Sequence, residues 1–300
     1  MGSLMAPNLW KGVPGVETAL AVARRDRYTR QATAAFLPAQ SVEMASGNFH
    51  IGIMGNLFSG KTTLMNALAD DPYRSELAGL LGTAETHSFS ERVEKGSLTD
   101  QCLALFYKDR VANIFPTETA FLWMRVLQQR EIRHLMTREG KSGVLILEDR
   151  PFLDGPEVFV KRMIDSGEMP AAHARLYYTL FYQLLQVERV RLPDLTVYLR
   201  TEPDLLERRR AKRAEEGDAY AKTITVEYLR EIHQGYERLA AQWRETLRKY
   251  QEYAIVPSDA DIVILPAEID MYDHPDYVHV AAGTIREKVR RMVASRKAGS

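Results

Sequence analysis

Gly55-Asn56-Leu57-Phe58-Ser59-Gly60-Lys61-Thr62-Thr63 matches the pattern G-x-x-x-x-G-K-[ST]. The apolar run 49–54 in front of it reads as a strand, and residues 62–69 behind it read as a helix. That strand–loop–helix order is the context a phosphate-binding P-loop needs. Gly55 and Gly60 let backbone N–H groups turn inward, with Asn56, Ser59 and Thr63 on the same turn. The helix N-terminus adds a partial positive charge. Lys61 is placed to reach the terminal phosphates of a nucleoside triphosphate, and the Thr62 hydroxyl to hold Mg²⁺.

Outward from this loop, short apolar runs alternate with long amphipathic stretches. Strands are expected at 49–54, 84–90, 143–148, 195–200 and 261–265. Helical stretches are expected near 60–70, 99–110, 115–138, 156–190, 203–216, 225–251 and 277–296. Continuously apolar strands separated by helices imply a parallel sheet covered on both faces. The expected fold is therefore α/β: a three-layer P-loop fold with a five-stranded parallel sheet flanked by helices. No Pro/Gly/Ser-rich linker interrupts the chain, so residues 49–300 are expected to form one domain. Residues 1–48 differ in character and read as a helical extension. They carry Arg24, Arg25, Arg27 and Arg30, but also Glu17, Asp26 and Glu43, which makes a poor organelle-targeting segment. Packing on the domain or on a partner protein is the preferred role for them.

The 300 residues carry 40 basic and 40 acidic side chains, so a surface that coats nucleic acid is not expected. One cysteine, Cys102, allows no intrachain disulfide. A reducing compartment follows, the cytoplasm or alternatively the mitochondrial matrix. No apolar run is long enough to span a membrane.

In parallel α/β sheets ligands gather at the carboxyl ends of the strands. Glu91 follows the second expected strand, Asp149-Arg150 the third, and Arg200 ends the fourth. The helix after Arg200 holds Arg208, Arg209, Arg210, Lys212 and Arg213. Phosphoryl transfer to a small hydroxyl needs a phosphate cradle, a metal carboxylate, a carboxylate to accept the hydroxyl proton, and cations for the moving phosphoryl group. All four are available here. Taken singly, Asp149-Arg150 could be a structural ion pair, and the arginine run a solvated helix face.

Together these residues resemble the deoxynucleoside kinase family from residue 49 to about 292. The family's E-P-V-x-K-W segment resembles Glu91-Arg92-Val93-Glu94-Lys95-Gly96, and its Y-K-D segment resembles Tyr107-Lys108-Asp109. Its [DE]-R-S motif is similar to Asp149-Arg150-Pro151, and its Y-L-R-T-x-P strand end to Tyr198-Leu199-Arg200-Thr201-Glu202-Pro203. Its later Y-L-x-x-[IL]-H helix resembles Tyr228-Leu229-Arg230-Glu231-Ile232-His233. The resemblance implies ATP and Mg²⁺ as cofactors, an Arg-rich lid and a nucleoside substrate. It implies Glu91 as general base on the 5′-hydroxyl, Arg150 holding that base, and Asp149 with Thr62 on the Mg²⁺ side. Tyr107 would meet the sugar 3′-hydroxyl with Glu216 or Asp218 as acidic partner, and Phe159 would stack on the base. Arg209 and Arg213 would be the lid arginines, and Glu268 and Asp270 would lie near the donor's adenine. The family is commonly a homodimer, for which the stretch 176–185 would supply contacts.

The chain also departs from the family pattern. The motif tryptophan is Gly96, the motif serine is Pro151, and the position of one lid arginine is Glu215. The glutamine that reads the base, eleven residues past the tyrosine, is Glu118 here. An ionised glutamate only accepts hydrogen bonds, which suits the guanine edge. Arg125, seven residues on, matches the cytidine/purine branch or neutralises Glu118; the aspartate of that set is Gly155, beside Asp154. The longer stretch before Glu91 leaves Glu85 as a second candidate base. An active nucleoside kinase with an altered base preference ranks first. A non-catalytic relative, such as the accessory subunit of respiratory complex I, ranks second, and a nucleoside monophosphate kinase third.

Overall fold

The computed structural model describes residues 47–91, 93, 95–137, 143–266 and 276–299. The extension as far as residue 46, Arg92, Glu268 and Asp270 lie outside the described residues. Five strands form one parallel sheet: β1 (Phe49–Gly55), β2 (Thr83–Phe89), β3 (Gly143–Asp149), β4 (Leu195–Arg200) and β5 (Asp261–Pro266). Their order is β2-β3-β1-β4-β5. β1 and β3 are buried along their whole length, whereas edge strands β2 and β5 are partly exposed. This is why the central strands read as largely apolar runs, with His50 of β1 buried against Glu148 of β3 at 2.9 Å.

Residues of β1 alternate between two cores. Phe49, Ile51 and Ile53 pack with Leu64 and Leu68 of α1 (Lys61–Ala69), Leu77 of α2 (Tyr73–Leu81) and Ile285 of α10 (Asp276–Gly299). Met54 faces the opposite core, which draws on α3 (Leu98–Lys108), α4 (Arg110–Met136), α6 (Ala171–Val187), α8 (Val226–Ala241) and α9 (Trp243–Tyr250). Two cores with one sheet between them make three layers. The α/β fold and the five strands agree with the sequence reading. No helix among the described residues is long and apolar enough to cross a membrane.

The helices depart from expectation in four places. α2 was not anticipated, although Pro72 at its start and Gly82, left-handed at φ 68°, at its end mark it. The single stretch expected at 156–190 is three pieces: a π-helical turn (Gly155–Val160), α5 (Lys161–Asp165) and α6. Gly167 with φ 75° and Pro170 before α6 break it. The stretch 225–251 breaks at Gln242 into α8 and α9. α4 starts at Arg110, five residues before 115, because the Asp109 side chain accepts from the Ala112 N–H at 3.2 Å and caps it. Pro116 is then carried inside the first turns of α4.

Candidate active site

Parallel register brings the ends of β1, β3 and β4 level, with Ile53 beside Asp149 and Gly55 beside Leu199. A cavity of about 690 Å³ opens there. Gly55 has φ 156°, and a Cβ on it would stand 2.8 Å from Ser59 Oγ and 2.9 Å from the Leu199 carbonyl oxygen. Only glycine fits such a turn. Gly60 caps α1 in a left-handed conformation without a side-chain acceptor, leaving first-turn N–H groups for a ligand. Asn56 fastens the loop by donating from Nδ2 to the Leu229 carbonyl at 2.8 Å.

Lys61 is buried and donates to the Asn56 carbonyl at 2.8 Å. Burial, then the neighbouring Arg150 charge, lower its pKa to about 8 against the pull of Asp149, Asp154 and Glu91. Thr62 Oγ1 donates to Asp149 Oδ2 at 3.0 Å, while the buried Asp149 Oδ1 has no hydrogen-bond partner among the described residues. A hydroxyl beside a carboxylate oxygen without a partner is a fitting pair of donors for Mg²⁺, which takes few protein ligands and completes its shell with phosphate and water.

Arg150 adopts φ 58°, which is strained for a residue with a side chain. The turn lets its N–H reach the Ile53 carbonyl at 3.0 Å and directs the guanidinium into the cavity. There Arg150 Nε lies 2.5 Å from Glu91 Oε2, and Arg125 Nη2 lies 2.6 Å from Glu91 Oε1. Burial is the largest single influence and opposes the charge on both arginines, but Glu91 together with smaller contributions, from Tyr177 and Glu118 for Arg125 and from Tyr236, Asp149 and Asp154 for Arg150, raises both pKa values. Glu91 lines the cavity, whereas the alternative base Glu85 does not; Glu85 sits on edge strand β2, 3.1 Å from His87 Nε2. Of the two roles read for Arg125, its short ion pair goes to Glu91 rather than to Glu118, whose charge it still favours through space. Gly155 makes this possible, since a Cβ there would stand 2.9 Å from Arg125 Nη1.

A second layer escaped sequence reading. The buried Tyr236 hydroxyl donates to Asp154 Oδ2 at 2.7 Å and accepts from Arg150 Nη1 at 3.3 Å. Phe159 stands edge-on to the Tyr236 ring, with the Arg150 guanidinium 4.9 Å from the Phe159 centroid. Only the periodicity of α8, which turns Ile232, Tyr236 and Leu239 inward, could have signalled Tyr236. Tyr236→Phe is expected to cost ~1–3 kcal/mol of stability, because Asp154 loses its buried donor; thermal denaturation checks this.

The other expected residues converge on the same cavity, which Tyr107, Glu118, Arg125, Phe159, Glu216 and Asp218 all line. Tyr107 stacks on Tyr220, with centroids 5.1 Å apart, and Tyr220 donates to Asp100 at 2.9 Å. Asp218 accepts from the N–H groups of Tyr220 and Ala221, which shapes the turn over Tyr107. On α7 (Pro203–Glu215), Arg209 is buried and donates to the Phe58 carbonyl at 3.1 Å, and the Arg213 guanidinium stands 5.8 Å from the Phe58 ring. Arg210 turns away to pair with Glu207 at 2.7 Å, so only part of the arginine run lines the cavity. The Glu118 carboxyl is buried, and burial lifts its pKa to about 7, with Arg125 and Arg150 resisting and Glu91 assisting.

A family model described as deoxynucleoside kinase matches residues 51–273. The probable deoxycytidine kinase of fowlpox virus (strain NVSL) is 24% identical over 195 residues, 65% of this chain and 73% of the viral protein. Structures of a deoxyadenosine kinase from M. mycoides superpose with TM-scores of 0.53 and 0.54. One has dCMP and dCDP bound and shares 22% identity; another has dATP bound and shares 20%. They cover 79% of this chain and 98–99% of theirs. The chain therefore belongs to the deoxynucleoside kinase family and is an ATP-dependent phosphotransferase acting on a nucleoside hydroxyl.

Proposed function

We propose that the protein transfers the γ-phosphoryl of Mg²⁺-bound ATP to the 5′-hydroxyl of a deoxynucleoside, with residues 49–300 as the kinase domain and 1–48 as an extension. The observation that carries this reading is the convergence of Lys61, the Thr62–Asp149 pair and the Glu91–Arg150 pair on one cavity. Lys61 and the N–H groups of the P-loop bind the β- and γ-phosphates, and Thr62 with Asp149 holds Mg²⁺. Mg²⁺ supplies charge neutralisation of the phosphate oxygens. Glu91 accepts the hydroxyl proton as the oxygen–phosphorus bond forms, and its two guanidinium partners fix the carboxylate's orientation. Arg209 and Arg213 balance charge on the transferring group from the Arg-rich lid. Phe159 stacks on the nucleoside base, Tyr107 meets the sugar with Glu216 or Asp218 beside it, and Glu118 with Arg125 faces the base edge.

The test is ATP consumption by the purified protein against a panel of nucleosides, deoxynucleosides and nucleoside monophosphates. Turnover is expected with one or a few deoxynucleosides and none with the monophosphates. ATP binding without turnover on any acceptor would overturn this proposal.

A further inference from the structure

Glu118 is a buried carboxyl on a cavity wall with no hydrogen-bond partner among the described residues. It is 7% exposed and lines the cavity with Phe121, Arg125 and Phe159. The cations near it are committed elsewhere: Arg125, two turns along α4, and Arg150, after β3, both grip Glu91. Tyr177 of α6 and Tyr228 of α8 also feel the Glu118 charge. The buried Tyr177 hydroxyl has no hydrogen-bond partner among the described residues, and the Tyr228 ring carries the guanidiniums of Arg110 and Arg162 at 4.8 and 5.1 Å. The side chain is thus held at the wall with both carboxyl oxygens left for a ligand.

A neutral carboxyl presents one donor and one acceptor, the same pair as a carboxamide. That pair complements adenine or cytosine, where an exocyclic amino group lies beside a ring nitrogen that accepts. An ionised carboxyl presents acceptors only. It complements guanine, where a ring N–H lies beside an exocyclic amino group. We propose that the proton on Glu118 sets which base edge the enzyme accepts: neutral for adenine and cytosine, ionised for guanine. The inference rests on the placement of the base beside Phe159 and Glu118 given above. Burial supports it by bringing both forms within reach near neutral pH. No bond of the nucleoside is made or broken: the ionised Glu118 takes up a proton from solvent, forming its O–H bond, to bind the adenine edge, and the neutral form releases that proton to solvent to bind the guanine edge.

The experiment compares the affinity of the wild-type protein for deoxyguanosine and for deoxyadenosine by calorimetry from pH 6 to 8.5. Effects common to both ligands cancel in the ratio. The ionised-to-neutral ratio of a carboxyl changes about tenfold per pH unit. Preference for deoxyguanosine is therefore expected to rise by up to about that factor per unit. Deoxyadenosine is expected to bind with proton uptake at the alkaline end, measured in buffers of different ionisation enthalpy. Glu118→Gln keeps the neutral pattern, so its ratio is expected to be independent of pH and shifted toward deoxyadenosine. A flat wild-type ratio without proton uptake, or a pH-dependent ratio that survives in Glu118→Gln, would overturn the proposal. Binding of neither nucleoside would overturn it together with the placement of the base. A pH-dependent binding ratio without phosphoryl transfer would strike the transfer reaction alone.

Discussion

Replacing Lys61 with alanine is expected to lower kcat by about a thousand-fold or more while the protein stays folded. The ammonium sits at the P-loop, resting on the Asn56 carbonyl at 2.8 Å. Lys61 is the one cationic residue among residues 55–63. The fold does not depend on it. The folded pKa of about 8 lies below the ordinary 10.5, so the buried charge opposes folding. That opposition is fully present below about pH 8 and fades as pH rises toward 10.5. Alanine removes it, so the thermal midpoint at neutral pH is expected to stay or rise. Steady-state kinetics and thermal denaturation check both halves. Retained turnover would remove the P-loop from the reaction, and an unfolded variant would show that Lys61 has a structural role.

Glu91→Gln is expected to lower kcat by about 10²–10⁴-fold, the usual worth of a positioned general base, with ATP affinity little changed. Glutamine has the same shape but cannot take the hydroxyl proton. The P-loop contacts of Lys61 and Thr62 do not pass through Glu91, so nucleotide binding is expected to survive. Stability is expected to fall, because Arg125 and Arg150 are 5% and 8% exposed and would both face an uncharged amide. Breaking a buried ion pair costs about 3–5 kcal/mol. Measuring kcat, nucleotide affinity and melting temperature together separates the chemical effect from the structural one. Full activity would move the proton acceptor to another carboxylate.

These two expectations differ in how far they could be read without coordinates. The P-loop is local: its residues are contiguous, and strand, glycines and helix all fall between Phe49 and Ala69. Central strands were equally legible because burial on both faces demands largely apolar runs. Helix breaks were less so. Gly167 with Pro170 and the turn at Gln242 interrupt stretches whose amphipathic period continues across them. Asp109 as a cap and Pro72 with Gly82 around α2 are weaker signals, each a one- or two-residue mark with no period behind it.

Sequence by itself determined the G-x-x-x-x-G-K-[ST] loop between strand and helix, the five-stranded parallel sheet and the set of residues at its strand ends. It also marked the departures at Gly96, Glu118, Pro151 and Gly155. Tertiary structure alone decided which charges meet. The seven-residue spacing from Glu118 to Arg125 puts both on one face of α4, so sequence could equally pair them with each other. Folding brings Glu91 from the end of β2 to Arg125, while Gly155 leaves the room that the guanidinium fills. The choice depends on distances between segments far apart in the chain, set by sheet register and helix packing. In the same way Tyr236, 82 residues from Asp154 in sequence, becomes its hydrogen-bond donor. Where two partners for one charge are both compatible with local spacing, only packing selects between them, because the Coulomb energy depends on a separation that the chain order does not record.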